Sequence, residues 1–384
     1  MKELRVYLNN AAGAFPLAPG VMEAVIESME NPPRLSGRDA VGAEDKPGEC
    51  RRNLGLLLDV QPEEVVLCSG ATAALNIAIL GMGLCPGDLV ISSVMEHNSV
   101  LRPLARLEKL LSIRVEYVPL DHQGNLNTAM YEKLLRGKPR LVALTHGSNV
   151  TGRINPVKEW FEKAKDAGAL TLLDAGQTVG HIPLHPAALY ADMAAFSGYK
   201  GLAGPQGTGA LYTASSIKLA STFTGGTGFK SDNPFQPEEM PIRLEAGTPN
   251  TAGFAGLNEA VKYYLGNEVL ITAKEAEITH TLIEGLCSVK GVRILGRQLP
   301  PAKYISQTDL PVVAFVIEGM DSEKVGFALN EGFAITCRTG LQCAPLMHIA
   351  LGYYPEGSVR FSPSYRTSPE DIDYAIEAVR RIVP

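Results

Sequence analysis

Between about residues 60 and 215 the chain alternates short, continuous apolar runs with longer segments whose apolar positions repeat at the helical period. The continuous runs predict strands buried on both faces, as in a mostly parallel sheet covered by helices. Such a sheet binds ligands at the carboxyl ends of its strands. The strand segments are EVVLCSG, DLVISSV, IRVEYVPL, RLVALTH, LTLLDA, MAAFSG and TGALYT, and the helical segments are ATAALNIAILGMGL, SVLRPLARLEKLLS and VKEWFEKAKDAG.

After about residue 255 the pattern changes to one long helical stretch, followed by short apolar runs and further helices. VRILG, LPVVAFVIEG and FAITCRTG predict strands, and residues 321–331 and SPEDIDYAIEAVRRIV predict helices. This order is typical of a smaller α+β domain. We expect a large α/β domain over residues 16–258, a small domain made of residues 1–15 and 259–384, and a loop over residues 31–52.

The 384 residues are 45% hydrophobic and 20% charged, the balance of a globular protein with a large core. The net charge of −6 comes from interspersed charges, so we expect a small-molecule substrate and neither nucleic acid nor membrane as a partner. The chain lacks an apolar run of roughly 20 residues and a signal-peptide core, which predicts a cytoplasmic protein. Its six cysteines form no CxxC pair, and the spacing predicts neither disulfides nor a metal site.

Five of the predicted strands are each followed by residues that commonly bind ligands. Several such residues at one edge of a parallel sheet predict a binding site. They are Gly70, Ala71 and Thr72; His97; Asn149; Asp174 and Gln177; and Lys200.

The segment SGATAAL begins one of the predicted helices. Free backbone N–H groups and the helix dipole at such a position suit a phosphate group. The alternative is that Thr72 simply caps the helix. The sequence leaves both interpretations open.

Asp174 and Lys200 are charged residues at predicted strand ends. A carboxylate buried after ALTLLDA needs a cationic partner, and a protonated pyridine nitrogen is one. Lys200 lies in the glycine-rich segment AFSGYKGLAGPQGTGALY, whose backbone suits close approach better than it suits a surface lysine. A phosphate cradle, a strand-end aspartate and a strand-end lysine together indicate a pyridoxal phosphate enzyme.

Four motifs in order resemble those of the class V aminotransferase fold, and specifically of cysteine desulfurases and selenocysteine lyases. The resemblance extends from YLNNAAGAFPLAP to GSVRFSPSYRTSPEDID. It implies the type I fold of pyridoxal phosphate-dependent transferases, with a seven-stranded, mostly parallel sheet, a small α+β C-terminal domain and a homodimer. The motifs are Asp174-Ala-Gly-Gln177, Ser197-Gly-Tyr-Lys200, Glu245-Ala-Gly-Thr-Pro-Asn250 and Arg338-Thr-Gly-Leu-Gln-Cys343-Ala-Pro.

The resemblance implies a role for each candidate residue. Lys200 would hold the cofactor as a Schiff base and move protons, His97 would stack on the cofactor ring, and Asp174 would pair with the ring nitrogen. The other implied cofactor contacts are Gln177 to the phenolic oxygen, Ala71, Thr72, Ser197 and Tyr199 around the phosphate, Asn149, and Thr248 from the partner subunit. The implied substrate contacts are Asn149, Arg338 and Arg360, of which Arg360 would bind the carboxylate by a bidentate fork.

Cys343 lies in the polar segment CRTGLQCAP, where Arg338 favours a thiolate. A lone cysteine is otherwise most often a small buried residue, and we expect that role for the other five. The resemblance implies that Cys343 attacks the substrate sulfur, releases alanine and keeps the sulfur as a persulfide. The short segment around Cys343 predicts delivery to a docked acceptor protein.

Two positions depart from the family pattern, since Tyr199 and Gln342 replace the histidines that usually precede the lysine and the cysteine. A phenol is a poor proton shuttle at neutral pH. The predicted function is a cysteine desulfurase, with selenocysteine as an alternative substrate. The competing hypothesis is a β-lyase or aminotransferase of the same fold that acts on another amino acid, with Cys343 not catalytic. A non-catalytic binding protein is a third.

Overall fold

The computed structural model describes residues 6–31, 45–296 and 309–384. Its strands in chain order are β1 (Val6–Tyr7), β2 (Val65–Cys68), β3 (Leu89–Ser93), β4 (Arg114–Val118), β5 (Leu141–Thr145), β6 (Leu170–Asp174), β7 (Met193–Ser197), β8 (Gly209–Thr213), β9 (Val292–Ile294), β10 (Val313–Ile317), β11 (Ile335–Thr336) and β12 (Val359–Phe361). Its α-helices are α1 (Val21–Glu30), α2 (Lys46–Leu58), α3 (Ala71–Gly81), α4 (Asn98–Leu111), α5 (Thr128–Leu135), α6 (Val157–Asp166), α7 (Thr251–Cys287), α8 (Ser322–Phe333), α9 (Pro345–Leu351) and α10 (Pro369–Ile382).

Seven strands form the central sheet in the order β2-β8-β7-β6-β5-β3-β4. β8 is antiparallel to both of its neighbours, and the remaining pairings are parallel. Strands β3, β5 and β7 are buried along their whole length, because helices cover both faces of the sheet. The predicted α/β fold with a mostly parallel, seven-stranded sheet is therefore confirmed, and each of its strands lies in a predicted segment.

The C-terminal part of the chain builds a second core around β9, β10 and β12, which form an antiparallel sheet. The N-terminal strand β1 pairs in parallel with β11 and so joins this part. Helix α7 contributes to both cores: Phe254 packs in the core of the large sheet, and Ile278 packs in the second core. The domain boundaries at residues 15/16 and 258/259 stay a prediction.

The loop predicted over residues 31–52 is wrong for residues 46–52, which belong to α2. Asp45 caps this helix by accepting a hydrogen bond from the Gly48 N–H at 2.9 Å, and Pro47 lies in its first turn, where a missing N–H costs nothing. Residues 32–44 of the predicted loop lie outside the described residues. Within the described ranges, no helix is both long and apolar enough to cross a membrane.

Candidate active site

The carboxyl ends of the central strands and one loop of the second core surround a cavity of about 190 Å³. Residues distant in sequence meet there, because parallel strands present their carboxyl ends at one edge of the sheet. Of the residues predicted from the sequence, those lining the cavity are Ala71, Thr72, His97, Asn149, Asp174, Gln177, Ser197, Tyr199, Lys200, Arg338, Cys343 and Arg360.

Helix α3 presents its N-terminus to this cavity without a side-chain cap. Its N-cap residue is Gly70, so Thr72 lies inside the first turn and is not the cap. The Thr72 hydroxyl instead lies 2.7 Å from Ser99 Oγ, and the Ala71 N–H donates to Ser197 Oγ at 3.0 Å. The first turn therefore offers backbone N–H groups and hydroxyls to an anion.

Tyr199 packs against this helix start. A Cβ atom added to Gly70 would lie 3.2 Å from the Tyr199 ring and 3.7 Å from its hydroxyl oxygen. Gly70 has φ +142°, which side chains rarely adopt. The phenol that replaces the expected histidine thus lies at the anion-binding turn.

Asp174 and Lys200 provide the charges at the floor of the cavity. Burial raises the pKa of Asp174, while hydrogen bonding to the Gly176 N–H at 2.9 Å and the charge of Lys200 oppose that rise. No described cationic side chain lies within ion-pair distance of Asp174. Burial lowers the pKa of Lys200, which increases its reactive neutral amine.

His97 is the N-cap residue of α4 and faces the same cavity. Its Nδ1 accepts a hydrogen bond from the Ser99 N–H at 3.0 Å, so the proton of the neutral ring is on Nε2. Burial, followed by the charges of Lys200 and Arg360, lowers the pKa of His97 to about 4. His97 is therefore an uncharged ring at neutral pH.

Arg360 is the middle residue of β12 and is buried, and it lines the cavity. Its NH1 donates to the Asn149 carbonyl at 2.7 Å, and its NH2 lies 3.3 Å from Asn9 Oδ1, but its buried Nε has no hydrogen-bond partner. Burial and then the charge of Arg338 lower the pKa of Arg360 to about 10, which leaves it cationic at neutral pH. A buried, cavity-lining guanidinium with an unsatisfied donor suits a carboxylate.

Cys343 lies on the loop between β11 and α9, is exposed, and lines the cavity. Gln342 and Cys343 have φ of 50° and 57°, the left-handed region that costs side-chain-bearing residues roughly 1–2 kcal/mol each. Hydrogen bonds hold the loop in place: Asn149 Nδ2 donates to the Gln342 carbonyl at 2.7 Å, and the Asn98 N–H donates to the Cys343 carbonyl at 2.7 Å. The thiol is therefore presented by a strained but anchored loop.

A model of the family described as aminotransferase class-V matches residues 6–375 of the chain. The chain belongs to the class-V aminotransferase family. Enzymes of this family depend on pyridoxal phosphate.

Relatives of this chain include several proteins named as cysteine desulfurases. The chain is 32% identical to a probable cysteine desulfurase from Methanothermobacter thermautotrophicus, over 98% of this chain and 94% of the relative. The apo structure of a cysteine desulfurase from Thermococcus onnurineus NA1 is 30% identical, with a TM-score of 0.88 and coverage of 98% and 94% of the two chains. The S-sulfonic acid form of the cysteine desulfurase CsdA from Escherichia coli is 26% identical, with a TM-score of 0.86 and coverage of 99% and 95%.

The site residues of this class-V member fit pyridoxal phosphate. The α3 N-terminus leaves an anion-binding turn uncapped, and Asp174 is a buried carboxylate that interacts electrostatically with Lys200. Gln177 Nε2 donates to the Ala11 carbonyl at 3.0 Å, which leaves its second N–H and its buried, unpartnered Oε1 for a bound group. Phosphate, pyridine nitrogen and ring substituents would each find a complementary group.

Four of the other five cysteines are less exposed than Cys343: Cys50 is buried, and Cys68, Cys287 and Cys337 are half-buried. Burial raises the pKa of Cys50, Cys68 and Cys337 to about 12 in each case, which leaves them protonated and unreactive. The prediction of burial is wrong for Cys85, which is exposed because it precedes the turn between α3 and β3. Among the described residues, no group of three histidine, cysteine or acidic side chains is arranged to hold a metal.

Thr248 does not line the cavity of its own chain and is exposed. Its segment is fixed at Glu245, which pairs with Arg51 at 2.7 Å and accepts the Leu67 N–H at 2.6 Å. Asn250 caps α7 by accepting the Gly253 N–H at 3.0 Å. The assignment of Thr248 to a neighbouring subunit's cofactor stays a prediction.

Several residues of the cavity wall were not predicted as site residues. Ser99 follows His97 by two positions, and Gln342 precedes Cys343, so proximity in sequence was an available signal for these two. Ala11 and Ala12 come from the N-terminal segment, where the Ala11 N–H donates to Ser362 Oγ at 3.0 Å, and no local pattern indicates this contact. The others are Thr145, Gly147 and Gly176.

Proposed function

We propose that this protein is a pyridoxal phosphate-dependent cysteine desulfurase, which converts L-cysteine to L-alanine and leaves the sulfur as a persulfide on Cys343. The observation that carries the proposal is that an exposed cysteine lines the same cavity as the half-buried Lys200 and the buried Arg360. A lyase or aminotransferase needs the lysine and the arginine but has no need of a thiol at this place.

Each residue around the cavity has a task in holding the cofactor. Pyridoxal phosphate, when bound, supplies a covalent link to the substrate amine and draws electrons from the adjoining carbons. The α3 N-terminus with Ala71, Thr72, Ser197 and Tyr199 would hold the phosphate, together with Thr248 of a second subunit. Asp174 would hold the ring nitrogen, and His97, Gln177 and Asn149 would orient the ring.

Arg360 orients the amino acid. Its guanidinium, whose Nε has no hydrogen-bond partner, takes the substrate carboxylate, and the exposed Arg338 adds positive charge beside it. Lys200 lines the same cavity, where burial lowers its pKa and favours the neutral amine. Lys200 therefore accepts the α-proton of the amino acid and returns a proton to its carbon skeleton.

Cys343 performs the sulfur transfer. Its thiolate attacks the substrate sulfur, so that an S–S bond forms and the C–S bond of the substrate breaks. The carbon skeleton takes up the bonding electron pair and a proton and leaves as L-alanine. L-cysteine and one thiol thus yield L-alanine and one persulfide, without an external oxidant or reductant.

The anchored loop restricts where the persulfide can go. Because the Gln342 and Cys343 carbonyls accept hydrogen bonds from Asn149 and from Asn98 of α4, respectively, an acceptor protein must approach the cavity mouth to collect the sulfur. The homodimer, the acceptor protein, the cytoplasmic location and the use of selenocysteine belong to this proposal as further predictions.

A panel of amino acids offered to wild-type enzyme, Cys343→Ser and Cys85→Ser tests the proposal. With dithiothreitol present to reduce the persulfide and release its outer sulfur as sulfide, we expect alanine and sulfide from L-cysteine with wild type and with Cys85→Ser, which removes the other exposed thiol, and neither product with Cys343→Ser. Pyruvate with ammonia, or transfer of the amino group to a keto acid, in all three proteins would support the lyase or the aminotransferase instead.

A further inference from the structure

A buried acid–base pair links three segments of the active site from outside the cavity. His181 Nδ1 lies 2.7 Å from Glu275 Oε2, and the two side chains are 6% and 4% exposed. His181 follows Asp174 and Gln177 in the loop after β6, and Glu275 lies in the middle of α7. Neither residue lines the cavity.

Glu275 also binds the segment that carries Arg360. Its second oxygen, Oε1, accepts the backbone N–H of Tyr365 at 3.2 Å, a short distance beyond β12. Since a buried carboxylate is costly unless its oxygens receive hydrogen bonds, the two contacts stabilise Glu275. One carboxylate thereby ties the loop after β6 to the segment after β12.

His181 also packs against Gly201, the residue that follows Lys200. A Cβ added to Gly201, the residue after the lysine, would lie 2.8 Å from His181 Cδ2 and 2.5 Å from the Val179 carbonyl oxygen. The Thr272 hydroxyl donates to the His181 carbonyl at 3.0 Å and fixes the loop to α7. The imidazole is therefore packed directly against the lysine segment.

We propose that the His181–Glu275 pair is a positioning device that sets the distance between Arg360 and the Lys200–Asp174 side of the cavity. An amino acid must place its carboxylate at Arg360 while its amine lies at Lys200. A displacement of about 1 Å between bound groups can lower the reaction rate by about 10²-fold. The pair acts through the backbone at Gly201 and Tyr365. This inference rests on the proposed function, because it assumes that both groups bind one amino acid.

The test measures binding of L-alanine to the holoenzyme by its effect on the cofactor absorbance, together with retention of pyridoxal phosphate and Tm. Glu275→Leu removes both hydrogen bonds, and Glu275→Gln keeps an acceptor for the Tyr365 N–H and a hydrogen bond to His181. Thr279→Val is the matched control, because Thr279 lies one turn further along α7, is 1% exposed, and donates to the Glu275 carbonyl at 2.6 Å.

We expect Glu275→Leu to raise the Kd for L-alanine at least tenfold with the cofactor retained, and Glu275→Gln and Thr279→Val to stay within threefold of wild type. Should Glu275→Leu not accumulate, the double variant His181→Leu with Glu275→Leu leaves neither member of the pair buried without its partner and gives the same expected loss. An unchanged Kd in the Leu variants, or an equal rise in Thr279→Val, would overturn the proposal. Failure of wild type itself to bind L-alanine would count against the proposed function, and this outcome is distinct from the outcomes that overturn the positioning role.

Discussion

The buried Glu96, which accepts a hydrogen bond from the cavity residue Thr145, provides a pH-dependent test of the structure around the site. Its carboxyl is fully buried, and Oε1 accepts hydrogen bonds from Ser93 Oγ at 2.6 Å and from the N–H of the cavity residue Thr145 at 3.0 Å. Oε2 is buried without a partner. Burial raises the pKa of Glu96 from 4.5 to about 8, so the folded protein holds this acid in its neutral form at neutral pH.

The sign and size of the stability effect follow from this pKa. Between pH 4.5 and 8 the unfolded chain ionises Glu96 while the folded chain keeps the proton, so the free energy of unfolding falls as pH rises. Each pH unit in this window is worth about 1.4 kcal/mol, so the loss between roughly pH 5.5 and 7.5 is about 3 kcal/mol. Glu96→Gln keeps the shape and the acceptor for Thr145 but cannot ionise.

Urea unfolding of wild type and Glu96→Gln at three pH values measures this effect. Other titrating groups occur in both proteins and cancel in the difference between the two free energies of unfolding. We expect the free energy of unfolding of Glu96→Gln, relative to that of wild type, to rise by about 3 kcal/mol between roughly pH 5.5 and 7.5. Parallel pH profiles for the two proteins would refute the assignment of a neutral, buried Glu96.

Two further variants probe the cavity wall. Gln342→Ala removes the hydrogen bonds from the Gln342 amide to Ser358 O at 3.2 Å and Oγ at 2.8 Å, so we expect a loss of about 1–3 kcal/mol in stability and at least a tenfold fall in sulfide release with cofactor binding unchanged. Equal release from wild type and variant would show that the loop needs no anchor. Gly70→Ala puts a methyl group beside Tyr199 at φ +142°, and we expect its affinity for pyridoxal phosphate to fall at least tenfold. Gly83→Ala, at φ +71° in open space, is the control for backbone strain and should bind the cofactor normally; equal losses in both would exclude a specific effect of Gly70.

The large sheet was predictable because its strands are covered on both faces and therefore read as unbroken apolar runs. The residues after those runs were predictable as a site for the same reason, since parallel strands leave their ends together. Asp174 is the last residue of β6, and Lys200 follows the end of β7 by three residues, as the apolar runs before them indicate.

What the sequence could not predict depends on contacts between distant segments. Thr72 matches the residue preferences of a helix cap, but the tertiary contact with Ser99 takes its hydroxyl elsewhere. The His181–Glu275 contact joins residues 94 positions apart and has no local signature. In the sequence, Gln342 only marks the absence of the usual histidine, whereas in the structure its buried amide donates to Ser358 and holds the cysteine loop.

The central claim is that Cys343 itself receives the sulfur. The direct measurement is mass spectrometry of the cysteine-containing peptides after the holoenzyme reacts with L-cysteine in the absence of reductant and is alkylated. The account predicts one additional sulfur atom on the Cys343 peptide and none on the peptide of the exposed Cys85. Alanine formed in stoichiometric amounts while Cys343 carries no additional sulfur would contradict it.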